Sequence, residues 1–142
     1  MSRTEADGSL TVIADRYQSK PLNSPNDVVV KSDGTVWFTD PTYGIMSDYE
    51  GHKAPQEQDG CLVLRATPET GELAVVAEDF VKPNGLAFSP DGTRLASGSL
   101  DGTVRVYVLP VDELMALARS RVTRALTEAE CQQYSIEPCP KE

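Results

Sequence analysis

Two asparagines in matching sequence contexts are the residues of this chain whose type and spacing most directly suggest chemistry. Asn26 stands in a Pro-Asn-Asp sequence, and Asn84 stands in a Pro-Asn-Gly sequence 58 positions later. An asparagine amide offers a carbonyl oxygen to a hard cation such as Ca²⁺, and it also hydrogen-bonds the hydroxyl groups of small molecules. The matching contexts predict that the two side chains face one shared site.

Both asparagines lie at the start of a stretch that the chain contains twice. Residues 25–40 read PNDVVVKSDGTVWFTD, and residues 83–98 read PNGLAFSPDGTRLASG, with five identical positions. Such a repeat is typical of stacked four-stranded sheets, of which the β-propeller is the main example. Because equivalent corners of propeller blades surround one central channel, Asn26 and Asn84 are expected to meet there.

The predicted fold class is therefore mainly β: a partial β-propeller of about two four-stranded antiparallel blades with a short C-terminal helical tail. A closed ring needs roughly four to eight blades of about 40–50 residues, so a chain of 142 residues is too short. The strands of the first blade are predicted at residues 28–31, 35–39, 61–66 and 72–77. Residues 40–60 form an excursion above this sheet, residues 10–14 a short strand, and residues 17–25 a polar connector.

The second blade is predicted to lack its fourth strand. Its strands lie at residues 86–88, 94–97 and 102–109, and a helical pattern follows Pro110. Leu114, Leu117 and Ala118 are spaced for one apolar helix face. Thr127 followed by Glu130 is the spacing of a capping box, which predicts a second short helix. The final segment, with Pro138 and Pro140, is predicted to be loose.

Composition excludes several function classes. The formal net charge is −9 and no basic stripe is present, so nucleic acid is not an expected partner. No apolar run reaches membrane-spanning length and no secretory signal is readable, which predicts a cytoplasmic protein without a membrane contact. The three cysteines lack Cys-x-x-Cys spacing, which argues against a zinc knuckle. A Cys131–Cys139 bridge is conceivable in an oxidising compartment, but free thiols are the default expectation.

Three separated motifs carry a family resemblance. LNSPNDVVVKSDGTVWFTDPTYGI, DYEGHKA and VKPNGLAFSPDG, within about residues 3–91, resemble the bacterial gluconolactonases of the senescence-marker-protein, or regucalcin-like, group. The resemblance implies a six-bladed propeller that hydrolyses a sugar lactone around a divalent metal, usually calcium. It implies Asn84 as a metal ligand and places Asn26 at the metal or at its bound water and substrate. Asp27, Asp40 and Tyr43 are implied as nearby substrate-binding or supporting groups.

The metal site implied by the resemblance is incomplete in this chain. The family's remaining carboxylate ligands lie outside the matching region, and calcium prefers six to eight oxygen ligands with carboxylates among them. Weak metal binding and little or no turnover by a single chain are therefore expected. Two blades would close a six-bladed ring as a trimer, in which residues 10–14 of one copy complete the outer strand of the next. The alternative is that the helical tail covers the open edge within one chain.

The last third of the chain supports a second interpretation. From Phe88 onward the sequence resembles the final blade and C-terminal helices of WD-repeat proteins, so the segments are predicted as a gluconolactonase-like part (1–91), WD-like strands (92–110) and a helical tail (111–142). The alternative function is a protein-interaction module, or a recombined or designed propeller fragment without catalysis. No catalytic nucleophile is identified.

Several prominent residues also have purely structural interpretations. Asn26 and Asn84 follow proline and precede strands, as turn-forming residues do. Asp33, Asp91 and Asp101 stand in Asp-Gly turns and are predicted to be structural, and Trp37 is predicted to pack between blades. His52 is expected to be an exposed loop histidine.

Overall fold

Strands make up most of the structure, a computed structural model that describes residues 1–122 and 124–139. The chain divides into two compact units, Met1–Tyr107 and Val108–Glu142. In chain order the strands are β1 (Ser2–Thr4), β2 (Leu10–Val12), β3 (Arg16–Tyr17), β4 (Lys20–Pro21), β5 (Val28–Val30), β6 (Val36–Asp40), β7 (Cys61–Thr67), β8 (Glu72–Phe80), β9 (Pro83–Phe88), β10 (Arg94–Ser99) and β11 (Val104–Val108). The helices are α1 (Tyr43–Met46), α2 (Val111–Arg121) and α3 (Glu128–Gln133). The predicted fold class, mainly β with a helical C-terminal part, is confirmed.

The first predicted blade is a four-stranded antiparallel sheet in the order β5-β6-β7-β8. Strand β6 is buried along its whole length, because both faces of the sheet are covered. Val36 and Phe38 lie in the core on one face, while Trp37 contacts Phe88 of the next sheet at a ring-centroid distance of 5.4 Å. This alternation is the two-residue period of a strand. The prediction that Trp37 packs between blades is confirmed.

The N-terminal segment covers the face of the sheet that carries Phe38. Ala14 is buried there, and Ile13, Tyr17 and Leu22 pack against the same cluster. The segment folds as two short hairpins, β1 with β2 and β3 with β4. The core therefore extends beyond the two blades to the first residues of the chain.

Two predictions for this segment need correction. The strand predicted at residues 10–14 ends at Val12 and pairs with β1 of its own chain. The predicted polar connector at residues 17–25 contains β4 and contributes Leu22 to the core. The sequence signal was missing because the β3-β4 turn consists of Gln18 and Ser19, which both have positive φ although neither is glycine.

The second sheet contains β9, β10 and β11 in antiparallel order. Leu86 and Leu95 are buried, and the sheet has three strands in the described part of the chain. The prediction that the second blade lacks its fourth strand is thus confirmed for the described residues, because α2 begins where that strand would follow. Strand β11 is consequently an edge strand.

Three Asp-Gly-Thr turns repeat the same local structure. The carboxylates of Asp33, Asp91 and Asp101 each accept the backbone N–H and the hydroxyl of the threonine two residues later. The glycine between them has a positive φ in each turn. Hydrogen bonds from Ser89 and Thr93 lower the pKa of Asp91 from 3.8 to about 2. The predicted structural role of these aspartates is confirmed.

The C-terminal unit contains both predicted helices. Helix α2 begins after Pro110 with two acidic residues in its first turn and ends with two arginines in its last, as the helix dipole favours. Leu114 and Leu117 remain partly exposed, so the predicted apolar face is not buried within this unit. The capping box of Thr127 and Glu130 at the start of α3 is confirmed.

The cysteines differ from the default expectation. Cys131 and Cys139 form a disulfide, so the expectation of free thiols is wrong for this pair. Spacing alone did not show that α3 and the following turn bring the two residues together. Cys61 is a free buried thiol, and burial raises its pKa. The bridge holds Cys139 in the segment predicted to be loose, while Pro140 lies outside the described residues.

In the described part of the chain, the helices are too short and too polar to cross a membrane.

Candidate functional site

The two asparagines predicted to face each other do so. The side-chain Nδ2 of Asn26 donates to the side-chain Oδ1 of Asn84 at 3.4 Å. Asn26 precedes β5 of the first sheet and Asn84 lies at the start of β9 in the second, so the contact joins equivalent corners of successive sheets. Both side chains are exposed and therefore accessible to a ligand.

Buried hydrogen bonds hold these corners together. The Thr39 side chain is fully buried, and its hydroxyl donates to the Asn84 carbonyl at 3.1 Å while accepting the Asp27 amide at 3.0 Å. The backbone N–H of Asn26 in turn donates to the backbone carbonyl of Thr39 at 3.0 Å. One threonine of the central strand thus fixes the backbone of both asparagine corners.

Asp27, predicted near the site, bridges the two sheets. Its Oδ2 accepts the Leu86 amide of β9 at 2.6 Å, and its Oδ1 accepts the Val28 amide at 3.0 Å. Both oxygens are therefore engaged by backbone donors, and charge-assisted bonds of this kind are among the stronger ones in proteins. Asp27 lies beside the asparagines, where it fixes the relative position of the sheets.

Asp40, also predicted at the site, lies beneath the first corner. Its side chain is fully buried. Its Oδ2 accepts a hydrogen bond from the backbone N–H of Asn23 at 2.8 Å, and its Oδ1 accepts one from the backbone N–H of Ser24 at 2.9 Å. Burial raises the pKa of Asp40 above 3.8, and the two backbone donors oppose this increase. In this position Asp40 anchors the turn that leads into Asn26 and has no exposed atoms for a ligand.

Tyr43, the third predicted substrate residue, lies at the start of α1 on the wall of a cleft. The cleft has a volume of about 510 Å³ and is formed by residues 23–26, by Tyr43, Gly44 and Ile45, and by residues 50–52. Asn26 lines the same cleft. The Lys82 ammonium lies 5.3 Å from the centre of the Tyr43 ring. The structure thus places Tyr43 and Asn26 around one cavity.

Three cleft residues were not identified from the sequence as site residues. Glu50 and His52 come from the excursion and are exposed, as expected for His52, but they line the cleft that contains Asn26. Asn23 is buried at the cleft, and its Oδ1 has no hydrogen-bond partner among the described residues. Gly44 and Gly51 lie in close backbone contact within the excursion, and no local sequence pattern indicates this contact.

The residues present supply only part of a calcium site. Asn26 and Asn84 offer neutral amide groups, and the carboxylate of Asp27 is already bound to backbone donors. Within residues 1–122 and 124–139, no group of three or more His, Cys, Asp or Glu side chains could hold a metal ion. Calcium requires more oxygen ligands and negative charge than this corner provides. The chain alone therefore does not fit a resident calcium ion.

The sequence matches a known protein family and two curated relatives. The family described as the SMP-30/Gluconolactonase/LRE-like region matches residues 1–133. A gluconolactonase of Zymomonas mobilis is 37% identical over 103 residues, covering 72% of this chain and 28% of that protein. The lactonohydrolase oryL of Aspergillus oryzae is 32% identical over 108 residues, covering 72% of this chain and 24% of that protein.

Solved structures show the same likeness. An X-ray structure of a candidate gluconolactonase has a TM-score of 0.69 and 43% identity, covering 76% of this chain and 37% of the other. A gluconolactonase from Xanthomonas campestris has a TM-score of 0.66 and 40% identity, covering 74% of this chain and 35% of the other. This chain thus spans between 24% and 37% of these relatives. The match through residue 133, together with the paired corners, shows that the chain belongs to the SMP-30/gluconolactonase/LRE-like family.

Proposed function

We propose that this chain supplies part of the active centre of a lactone hydrolase that acts on a sugar lactone. The observation that carries the proposal is the contact between Asn26 and Asn84 across two sheets, at 3.4 Å. The names of the relatives, gluconolactonase and lactonohydrolase, support a cyclic ester as the substrate class. The cleft beside Asn26 provides a cavity of about 510 Å³, which is large enough for a monosaccharide-sized ligand.

The chain's own residues contribute binding and orientation to this function. The amides of Asn26 and Asn84 bind oxygen atoms of the lactone, and Tyr43 closes one side of the cleft. Asp27 and Asp40 hold the asparagine corners in place through backbone hydrogen bonds. A small displacement of such positioning groups costs reaction rate, because catalysis depends on the alignment of the reacting atoms.

We further propose that the two asparagine oxygens form part of a divalent-cation site when the Asn26 amide turns its oxygen toward the Asn84 oxygen, with calcium as the expected ion. Two amide ligands bind calcium weakly, so we expect a dissociation constant on the order of 10⁻³ M or weaker. Carboxylates from outside this chain's corner complete the site. The isolated chain therefore hydrolyses lactone slowly, and added chains or further blades increase the rate.

The proposed activity is tested by following hydrolysis of glucono-1,5-lactone above its spontaneous rate, with and without calcium. The native chain is compared with Asn84→Ala and with the control Gln133→Ala, which removes an exposed amide from α3. We expect calcium-dependent hydrolysis that falls by roughly tenfold or more in N84A, the usual scale for loss of one well-placed polar group. A calcium-dependent rate that is equal in N84A and the native chain would contradict the proposal.

The protein-interaction alternative has weaker support. The family match continues through residue 133 and so includes the strands and helices that resemble WD-repeat proteins. We retain homo-oligomerisation as a proposal, because no strand in the described part of the chain pairs with the outer edge of β11. Unpaired edge strands favour association with another chain.

A further inference from the structure

We propose that residues 50–52 form a sugar-recognition element, in which the Glu50 carboxylate and the His52 imidazole bind hydroxyl groups of the ligand. This inference rests on the proposed function, since it assigns the ligand to the cleft beside Asn26. It adds specificity residues that the asparagine corner does not include. The ligand class is a polyhydroxylated lactone or the aldonate that its hydrolysis produces.

The chemistry of the cleft wall suits hydroxyl groups. Glu50, His52, Tyr43 and Asn26 line one cavity of about 510 Å³. A carboxylate accepts hydrogen bonds, an imidazole and a phenol both donate and accept, and an amide provides one of each kind of group. Polar groups converging on one cavity are typical of sites that fix the orientation of a small ligand.

The recognition element is held in place by close backbone contacts. A Cβ atom added at Gly51 would lie 2.2 Å from the Gly44 carbonyl oxygen, so the two glycines touch. The Gly44 amide donates to the Ser24 hydroxyl at 3.0 Å, and the Ser24 amide donates to Asp40. The backbone N–H of Ala54 donates to the Ile45 carbonyl at 3.1 Å, which joins the end of this element to α1.

This chain of contacts links the excursion to the asparagine corner. Asp40 and Ser24 anchor the turn before Asn26, and the same Ser24 anchors the helix against which Gly51 packs. His52 and Asn26 are therefore fixed to a common support on two sides of the cleft. Less conformational freedom has to be lost on binding when groups are held in this way.

One buried polar atom of the cleft wall is unpaired. Asn23 is 7% exposed and lines the cleft, yet its Oδ1 has no hydrogen-bond partner among the described residues. Its amide nitrogen is already bound to the carbonyls of Asp40 and Gly60. Buried polar atoms are nearly always paired, but this oxygen has almost no exposed surface and a ligand in the cleft does not reach it. The ligand contacts are therefore assigned to the exposed side chains of Glu50, His52 and Asn26.

The test uses the fact that His52 is the chain's one histidine. Its imidazole signals are assigned directly in a ¹H–¹³C NMR spectrum and followed during titration with sodium gluconate. Sodium 5-hydroxypentanoate, which has the same charge but lacks the additional hydroxyls, is the matched ligand, and sodium chloride controls for ionic strength. We expect a saturable His52 shift with gluconate, and binding at least about tenfold weaker for 5-hydroxypentanoate because unfilled polar groups disfavour it.

Variants of the cleft residues show whether the gluconate-induced shift of the His52 signals arises from binding in the cleft. We expect Glu50→Gln and Asn26→Ala to weaken gluconate binding at least about threefold, because each removes a polar ligand contact. The control Glu69→Gln removes an exposed carboxylate from the β7-β8 turn and should leave the titration unchanged. Dispersed amide signals confirm that each variant is folded.

Each outcome separates this inference from the proposed enzyme activity. A gluconate response without lactone hydrolysis supports the recognition element and counts against catalysis by this chain. Hydrolysis without a His52 response overturns the recognition element and leaves the lactonase proposal standing. Equal responses to the two ligands, or no response to either, also overturn the inference.

Discussion

At the residue scale, the pairing of Asn26 and Asn84 depends on side chains that contact no ligand themselves. Thr39, fully buried, binds the backbone of both corners, and Asp27 connects the first sheet to the Leu86 amide of the second. Removing such a partner leaves a buried donor unpaired, which costs about 1–3 kcal/mol. The position of the site therefore depends on its supporting hydrogen bonds as much as on the two asparagines.

Asp40 provides a test of this support. Asp40→Asn keeps one carbonyl oxygen but places an NH₂ group against a backbone N–H, so we expect the free energy of unfolding to fall by about 1–3 kcal/mol. Burial raises the pKa of Asp40 above 3.8 in the folded chain. A carboxyl with a raised folded-state pKa stabilises the fold most below its unfolded pKa, and this contribution is lost as pH rises through the folded-state pKa.

The stability difference between native chain and D40N should therefore be largest below about pH 3.8 and shrink as the pH rises through the Asp40 pKa. Urea unfolding at a series of pH values measures it. Glu57→Gln, which removes an exposed carboxylate, serves as the control for a change in net charge. A difference that grows with pH would show that the buried carboxylate is stabilised in its charged form.

The asparagine corner was predictable because each asparagine lies in a repeated sequence, and a repeat fixes equivalent positions in successive sheets. Glu50 and His52 were not predicted as site residues, because their position depends on the path of the excursion. The buried Gln58 was missed for the same reason. Its amide donates to the carbonyls of Tyr17, Lys20 and Pro21, a contact across 37 to 41 positions of sequence.

At the element scale, two hairpins with Asp-Gly turns and the β7-β8 hairpin across residues 67–71 were predictable. The β1-β2 hairpin was missed although it contains an Asp7-Gly8 turn, and the β3-β4 hairpin was missed as well. The Asp33-Gly34 and Asp91-Gly92 turns combine an aspartate that caps the turn with a glycine at positive φ. The β3-β4 hairpin uses Gln18 and Ser19 at positive φ, which gives no recognisable signal. The disulfide of Cys131 and Cys139 likewise depends on tertiary structure, since eight positions of separation do not determine pairing.

Two glycines are in close backbone contact in the excursion between β6 and β7, and we expect this contact to fix its path. Gly51→Ala would place a Cβ atom 2.2 Å from the Gly44 carbonyl oxygen, and backbone must move to accommodate it. We expect a loss of about 1–3 kcal/mol in the free energy of unfolding, the usual cost of inserting a methyl group into a filled space. The displacement should also change the NMR signals of His52, the adjacent residue.

Gly60→Ala is the matched control for this variant. A Cβ atom at Gly60 meets no atom within 4 Å, and it lies in the same excursion. Chemical denaturation of the two variants measures the difference. Equal stability of G51A, G60A and the native chain would show that the glycine contact does not determine the path of the excursion.

At the scale of the whole molecule, two sheets are joined through Trp37, Phe88 and the paired corners, and the outer edge of β11 has no strand beside it in the described part of the chain. The sequence indicated this arrangement, since a two-fold repeat is too short for a closed ring. It did not indicate the N-terminal hairpins that cover the opposite face of the first sheet. The first of these hairpins contains a local Asp7-Gly8 turn, but the contacts of this segment with the first sheet join distant parts of the chain and have no local sequence pattern.

The open edge predicts association of copies. We expect sedimentation velocity to show a mass that increases with concentration over the micromolar range, because pairing of β11 satisfies its free backbone groups. Val106→Pro, which removes a strand donor from this edge, should shift the distribution toward the monomer. Val12→Pro in the N-terminal hairpin is the comparison variant. A single monomeric species at all concentrations would contradict the oligomer proposal.

Calcium binding shows whether Asn26 and Asn84 contribute to one site. Isothermal titration compares the native chain with Asn84→Ala, Asn26→Ala and the control Gln133→Ala. We expect weak binding by the native chain and Q133A, and at least about tenfold weaker binding by both corner variants, because each loses one of few ligands. Equal calcium affinity in the native chain and the corner variants would contradict the shared site.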